Sequence, residues 1–276
     1  MAKILIVGAG DVGGRVACAL AADGHEVHAL SRRPLSRAGV RMLAADVTQP
    51  ETLLLPADLD LVMVALSPGE PGEPAYRRVY LEGTRHILAA LAGRLPRHLF
   101  WVSSTSVYGE QAGEVVDVLT PPRPATATAC VLLESEQLAA STAVPCTVVR
   151  CSGLYGPGRH RLLHWVETGR PVQVEPLNWT NRLHVADAAG LLAHLCRQAL
   201  AGIALPGVVL ASDDCPVPQH EVLDWLAASM GLPAPPRLPA GGASGRRIAN
   251  TLHSVGYVLR YPDYRSGYAE VLLRRS

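Results

Sequence analysis

An α/β fold with a doubly wound parallel sheet is predicted by three features of this chain. The aliphatic run from Ile4 to Val7 breaks into glycines spaced G-x-G-x-x-G at Gly8, Gly10 and Gly13, and an apolar helical pattern follows at once. Strand and helix patterns then alternate through residue 150 with short connections, the arrangement that right-handed crossovers turn into a parallel sheet. Leu59–Leu66 is a run of strand length, apolar but for Asp60, as a parallel strand covered on both faces should be.

Ile4–Val7 reads as the first strand and Val12–Ala22 as the first helix, with Gly24 placed to cap its C-terminus. Glu26–Leu30 and Arg41–Ala45 are the second and third strands. Asp46-Val-Thr48 leads into a short helix for which Thr48 is the expected N-cap. After the fourth strand, Leu59–Leu66, the loop Ser67–Pro74 precedes one amphipathic helix from Ala75 to Leu91. His98–Ser103 is the fifth strand, Ala127–Ser141 a helix rich in alanine and leucine, and Cys146–Arg150 the sixth strand. Beyond Arg150 the texture changes. Cys151–Pro157 is expected as a glycine-containing loop, Leu162–Thr168 as a short helix and Val172–Glu175 as a strand. His184–Leu200 and Gln219–Met230 read as helices, with the strand Val208–Ala211 between them. Gly231–Gly245 is an exposed connection rich in proline and glycine, and Tyr257–Tyr268 an aromatic cap beside the sheet. The organisation expected is a Rossmann-type dinucleotide-binding domain over residues 1–150. Residues 151–276 then return one strand and helix to the sheet and form a small C-terminal substrate lobe.

Ligands of open α/β sheets bind outside the carboxyl ends of the strands, so the segments leaving those ends are the site candidates. Gly8 permits the tight turn, Gly10 lets backbone approach a pyrophosphate, and Gly13 lets the helix lie close to the strand. The diphosphate would sit on the positive end of that helix, at Asp11 and Val12. The end of the second strand decides between the two nicotinamide dinucleotides. An acidic residue there grips ribose hydroxyls, whereas this chain has Ser31-Arg32-Arg33 and no carboxylate. A hydroxyl and two guanidinium groups suit a 2′-phosphate, so the cofactor expected is NADP rather than NAD. A solvated basic loop is the plainer alternative. Asp46, after the third strand, could meet the adenine, although a turn aspartate is nearly as ordinary. Ala65 and Leu66, leaving the fourth strand, and Ser103, ending the fifth, complete the cofactor candidates.

Composition narrows the partners. The apolar fraction of 49% supplies a sizeable core, and a net charge of +1 gives no bulk attraction to nucleic acid or an anionic membrane. No apolar run approaches the ~20 residues that a membrane span needs. The N-terminus is itself a core strand with Asp11 soon after, unlike a signal peptide. Cys18, Cys130, Cys146, Cys151, Cys196 and Cys215 include no C-x-x-C pair and no ligand-like pairing with histidine. Reduced thiols, no metal and a cytoplasmic location are therefore expected. The partner expected is a small-molecule substrate.

The fifth strand ends in hydroxyls, Ser103-Ser104-Thr105-Ser106, followed by Val107-Tyr108-Gly109. Such an edge lies beside the nicotinamide in this kind of fold, so Ser104 and Thr105 could bond a substrate oxygen. Serine-rich strand ends are also common as simple caps. Together with these residues, Gly83-Thr84, Arg150-x-x-x-Leu154-Tyr155-Gly156-Pro157-Gly158, Asn181-Arg182-x-His184-Val185-x-Asp187 and Gly256-Tyr257 follow in order. In that order the chain resembles, over nearly its whole length, the extended short-chain dehydrogenase/reductases, specifically the NAD-dependent epimerase/dehydratase family. The tail Tyr261-Pro-Asp-Tyr-x-Ser-Gly-Tyr268 is similar to a less characterised bacterial branch of epimerases or reductases.

The resemblance implies a catalytic serine or threonine and a Tyr-x-x-x-Lys pair, the tyrosine acting as general acid/base and the lysine lowering its pKa. The serine position falls on Ser104. By spacing to Glu134, however, Thr126 stands where the tyrosine belongs and Cys130 where the lysine belongs. No shift of alignment restores the pair, because Lys3 is the only lysine and no tyrosine lies between Tyr108 and Tyr155. Tyr80 also stands where many relatives have asparagine. The usual relay is thus excluded, and Tyr108 and Tyr155 remain as substitute phenols. Turn or packing is the plainer role for Tyr108, and Tyr155, which borders the expected substrate cleft, stands similarly. Arg159, Asn181 and Arg182 suit an anionic or sugar-like substrate. The resemblance also implies a homodimer through the helices after strands four and five, which the leucines near Leu81–Leu91 permit. Two functions follow: an atypical oxidoreductase or epimerase on a small carbonyl or sugar-derived substrate, or a non-catalytic NADP-binding sensor or scaffold.

Overall fold

The computed structural model of the protein describes residues 1–274. Its first half contains β1 (Lys3–Val7), α1 (Asp11–Ala22), β2 (Glu26–Ser31), β3 (Val40–Ala44), β4 (Leu61–Val64), α2 (Glu73–Tyr76), α3 (Gly83–Ala90), β5 (His98–Ser104), β6 (Ala112–Val116) and α4 (Ala127–Ala140). There follow β7 (Cys146–Cys151), β8 (Gly153–Tyr155), α5 (Arg161–Glu167), β9 (Trp179–Thr180), β10 (Arg182–His184) and α6 (Val185–Leu200). The chain continues through β11 (Val208–Ala211), β12 (Val217–Pro218), α7 (Gln219–Ser229), β13 (Gly245–Ile248) and α8 (Tyr264–Leu273). Residues 1–107, 124–150 and 189–209 form one compact unit; residues 108–123, 151–188 and those from 210 onward form a second.

The first unit is built on a seven-stranded sheet in the order β11-β7-β5-β4-β1-β2-β3, and each pairing from β5 through β3 is parallel. This is the doubly wound α/β fold that the sequence predicts. Ile4 to Val7 are wholly shielded from solvent, so β1 is covered on both faces, which is why it reads as an uninterrupted aliphatic run. β1 lies between β2 and β4, where the strand order reverses. At such a point the loops leaving adjacent strands part and open a crevice at their carboxyl ends.

Differences from the sequence reading have local causes. The helix expected over Ala75–Leu91 is broken into α2 and α3 by a π-helical segment, Arg77–Glu82. At that junction the Thr84 hydroxyl donates back to the Tyr80 carbonyl, which also accepts from the Gly83 N–H. Thr48 does not cap a helix: its N–H and its hydroxyl both donate to Asp46 at 2.9 Å, and Gln49 holds the N-cap position of the 3-10 turn Pro50–Thr52. The fourth strand, Leu61–Val64, is shorter than expected: it begins after Asp60, and Ala65 gives the last N–H toward β1, to the Val7 carbonyl at 2.8 Å.

A buried ion pair crosses from α4 to β7. Arg150 Nη2 donates to Glu136 Oε2 at 2.7 Å and Nε approaches both carboxylate oxygens at 3.1–3.2 Å, with both residues over nine-tenths buried. The fork geometry is what a guanidinium needs when water is removed.

In the second unit β10 pairs parallel with β8, and β12, β9, β13 and β6 make a four-stranded sheet in that order. Leu162, Leu163, Val222, Leu226, Tyr264, Tyr268 and Val271 of α5, α7 and α8 close the core of this unit. The loop expected at Cys151–Pro157 instead carries β8. The strand expected at Val172–Glu175 is reduced to a single bridge between Val172 and Arg237. His184 ends a strand rather than opening the helix that follows it.

Asp187 organises the tail of this unit. Fully buried, it accepts from the Tyr257 hydroxyl at 3.1 Å and from the N–H groups of Arg260 and Tyr261 at 2.8 and 2.9 Å.

Candidate functional site

At the carboxyl ends of β1, β2, β3 and β4 the first unit opens a cleft of about 940 Å³. Its floor is the glycine turn. Gly8 has φ +98°, and a Cβ there would lie 2.3 Å from the Ala65 carbonyl oxygen. A Cβ on Gly13 would lie 2.2 Å from the Gly8 carbonyl oxygen, so α1 starts against the turn with no room for a side chain. Gly10 is different: a Cβ there meets nothing within 4 Å and would project into open space. Gly10 also holds the N-cap position of α1, and no side chain caps that end. First-turn N–H groups have no carbonyl within a helix to bond, and together with the helix dipole they favour an anion.

The rim of the cleft is basic. Ser31, Arg32 and Arg33 line it as β2 ends, and Asp46 lines it beyond β3, its carboxylate held in a turn by Thr48. Ala65 and Leu66 form the wall beyond β4. The Leu66 carbonyl accepts from the Tyr80 hydroxyl at 3.1 Å, so the tyrosine at this departure from the family pattern braces the cleft wall. Burial raises the Tyr80 pKa, which keeps that hydroxyl a neutral donor.

The cleft thus gathers Gly8, Gly10, Asp11, Ser31, Arg32, Arg33, Asp46, Ala65 and Leu66. Val12 and Gly13 lie behind its lining, in the contact of α1 with the sheet. Sequence reasoning missed Arg37, whose Nη2 lies 3.3 Å from the carbonyls of both Ala9 and Gly10 and whose guanidinium covers Gly14. No motif marks it. Only the fold of the β2–β3 loop brings it back over the glycine turn.

At the end of β5, Ser103 is buried and its hydroxyl has no hydrogen-bond partner, while Ser104 Oγ accepts from the Ser106 N–H at 3.1 Å. Thr105 is buried at the start of the 3-10 turn Thr105–Val107. Thr126 is the N-cap of α4, its hydroxyl accepting from the Ala129 N–H at 3.2 Å. Cys130, one turn on, is exposed. Lys3, the sole lysine, donates from Nζ to the Ala57 carbonyl at 3.2 Å.

The second unit holds the remaining candidates. Tyr108 is fully buried, and its carbonyl accepts from Arg246. Tyr155 is 4% exposed, its ring lies 4.6 Å from that of Tyr268, and its hydroxyl donates to the Asp263 carbonyl at 3.3 Å. Burial raises its pKa, with nearby Asp213 adding to the effect. Tyr155, Arg159, Asn181 and Arg182 line one pocket of about 110 Å³. The Asn181 amide donates to the Arg246 carbonyl and accepts from the Ile248 N–H, each at 2.8 Å, tying β13 to the segment that precedes β10. Among the described residues no group of three or more His, Cys, Asp or Glu side chains is placed to hold a metal. No described helix is long and apolar enough to cross a membrane.

Asp213 titrates abnormally. It is fully buried, and burial pushes its carboxyl up to about 7 against the attraction of Arg182. The folded state therefore binds this proton more tightly than the unfolded chain, so the stabilisation is complete below pH ~4 and lost as pH rises toward ~7. Asp213→Asn should remove that slope. Thermal midpoints at pH 5 and pH 8 should fall further in the parent protein than in the variant; equal falls would contradict the burial argument.

Residues 4–203 match the model of the NAD dependent epimerase/dehydratase family. A Methylobacillus flagellatus protein described as an NAD-dependent epimerase/dehydratase is 37% identical in sequence. Its structure superimposes with a TM-score of 0.85 over 99% of this chain and 98% of its own. Protein YeeZ of Escherichia coli (strain K12) is 30% identical over 280 residues, which cover 95% of this chain and 97% of that protein. The 3-diazoavenalumate denitrifying reductase of Streptomyces sp is 30% identical over 263 residues, 86% of this chain and 84% of the reductase.

Proposed function

Because this chain belongs to the NAD-dependent epimerase/dehydratase family, we propose that it binds NADP in preference to NAD in the glycine-floored cleft of its first unit. There it would serve an atypical oxidoreductase or epimerase acting on a small carbonyl or sugar-derived substrate. The observation that carries this reading is the cleft itself. Gly10 leaves open space over the uncapped start of α1, while Ser31, Arg32 and Arg33 line the same cleft with no carboxylate at the end of β2. The residues present fit a dinucleotide: a diphosphate needs the close backbone approach at Gly10, and a 2′-phosphate needs cations where a ribose-gripping acid would repel it. A bound nicotinamide supplies hydride transfer at its ring C4.

The chain's own residues then divide the remaining work. The turn Gly8–Gly13 and α1 hold the diphosphate, Arg32 and Arg33 select the phosphorylated ribose, and Asp46 with Ala65 and Leu66 bounds the adenine half. Ser104 orients a substrate oxygen. The proton of the reaction comes from water or from a group other than a Tyr-x-x-x-Lys pair, since Thr126 is spent as a helix cap and Lys3 lies on β1. Loss of a general acid costs ~10²–10⁴-fold, which slows such chemistry without abolishing it.

Thr126 and Cys130, standing where the tyrosine and lysine belong, favour a second reading, a non-catalytic NADP-binding sensor or scaffold. Turnover separates the two: NADPH oxidation against a panel of small carbonyls supports the enzyme, and binding without turnover supports the sensor. The cofactor choice has its own test. Arg32→Ala combined with Arg33→Ala should weaken NADPH binding at least about tenfold, the loss of one good charge-assisted contact, and leave NADH binding nearly unchanged. Equal NADPH affinity in the double variant would contradict the role given to the arginines.

A further inference from the structure

The pocket of about 110 Å³ in the second unit carries an unusual charge arrangement. Arg159, Arg161 and Arg182 all line it, and none of its lining residues is acidic. Arg182 is only 4% exposed, and a buried guanidinium ordinarily spends its donors on a carboxylate or on carbonyls. Here Nη2 donates to the Thr180 hydroxyl at 2.6 Å, the guanidinium carbon stands 5.5 Å from the Tyr264 ring centre, and Nη1 is buried with no hydrogen-bond partner. Asp213 is within electrostatic reach but does not take that donor, its own Oδ2 being likewise without a partner. A buried donor left without a partner is costly, more so when the group is charged, so a site that keeps one is built for something that completes it.

We infer that this pocket is a subsite for the carboxylate of a small organic acid, held by the Arg182 guanidinium together with Arg159 and Arg161 of the same lining. The inference rests on the proposed function insofar as the acid is taken to be the substrate. Size and lining decide the class. About 110 Å³ admits a carboxylate with a few attached carbons, since a cavity of roughly 150 Å³ accommodates a benzene ring. A nucleoside diphosphate does not fit inside it. The guanidinium fork matches a planar carboxylate. Leu154, Leu162 and the Tyr155 and Tyr268 rings offer an apolar wall that an organic chain covers well and the fourth oxygen of inorganic phosphate does not.

The test titrates the full-length protein with pyruvate, with acetone as its uncharged counterpart and with inorganic phosphate, by calorimetry and by the arginine Nε–H resonances. Pyruvate should bind saturably in the millimolar range or tighter and acetone should not. Arg182→Lys keeps the charge but loses the fork and should weaken pyruvate at least tenfold. If that variant does not fold, Arg159→Ala with Arg161→Ala should weaken it at least threefold. Absence of saturable pyruvate binding, equal affinity in the folded variants, or phosphate binding more tightly than pyruvate would each overturn the assignment. NADPH affinity is measured in parallel. Pyruvate binding without NADPH binding leaves the subsite standing and removes the cofactor reading, and the converse removes only the subsite.

Discussion

Glu136→Ala should lower the free energy of unfolding by about 3–5 kcal/mol, the range found when one partner of a buried ion pair is removed. The reason lies in what is left behind. Arg150, 6% exposed, would keep its charge in the interior with its forked carboxylate gone. Replacing both partners, Glu136→Met with Arg150→Met, should recover much of the loss, because an apolar pair of similar size pays no desolvation cost. Urea unfolding of the three proteins decides it. If Glu136→Ala unfolds at the parent's midpoint, the pair is not the sealed contact between α4 and β7 described above.

A second large effect is expected at the glycine turn, where two similar substitutions should behave oppositely. Gly8→Ala places a methyl 2.3 Å from the Ala65 carbonyl oxygen at a residue with φ +98°. Backbone cannot yield cheaply on either side, so strain and overlap together should cost about 2–5 kcal/mol and displace the turn. Gly10→Ala meets nothing within 4 Å and should leave unfolding unchanged to within about 1 kcal/mol. Its methyl would nevertheless occupy the space a diphosphate needs, so NADPH binding should weaken at least about tenfold, or about 1.4 kcal/mol. Loss of stability in Gly10→Ala, or undiminished NADPH binding by it, would contradict the distinction drawn between the two glycines.

The sheet of the first unit was legible because its inner strands are buried on both faces and its helices on one, which leaves clear periods in the residues. Ile4–Val7, Val12–Ala22 and Cys146–Arg150 are found within one residue of their expected ends. The second unit was less legible. Its β-elements are two to five residues long, and β6 and β13, with sequences AGEVV and GRRI, carry no alternation for a period-two reading to detect. The π-helical segment Arg77–Glu82 keeps the helical periodicity of its neighbours, so composition does not reveal it. Of the candidate sites, the glycine fingerprint and Ser31-Arg32-Arg33 are contiguous in sequence and could be read directly. Arg37 depends on how the β2–β3 loop returns, and nothing in its neighbourhood announces it; Arg182 was readable as a candidate, but the unpartnered state of its Nη1 depends on the fold. Thr126 shows the limit of spacing arguments from the other side: its place in the alignment is a question about catalysis, whereas its hydrogen bond answers a question about a helix end.

The central claim is that the glycine-floored, arginine-rimmed cleft takes NADP in preference to NAD. Its most direct test is calorimetric titration of the unmodified protein with NADPH and with NADH under the same conditions. The expected result is one site per chain, with NADPH bound at least about tenfold more tightly. Equal affinities, or tighter binding of NADH, would contradict it.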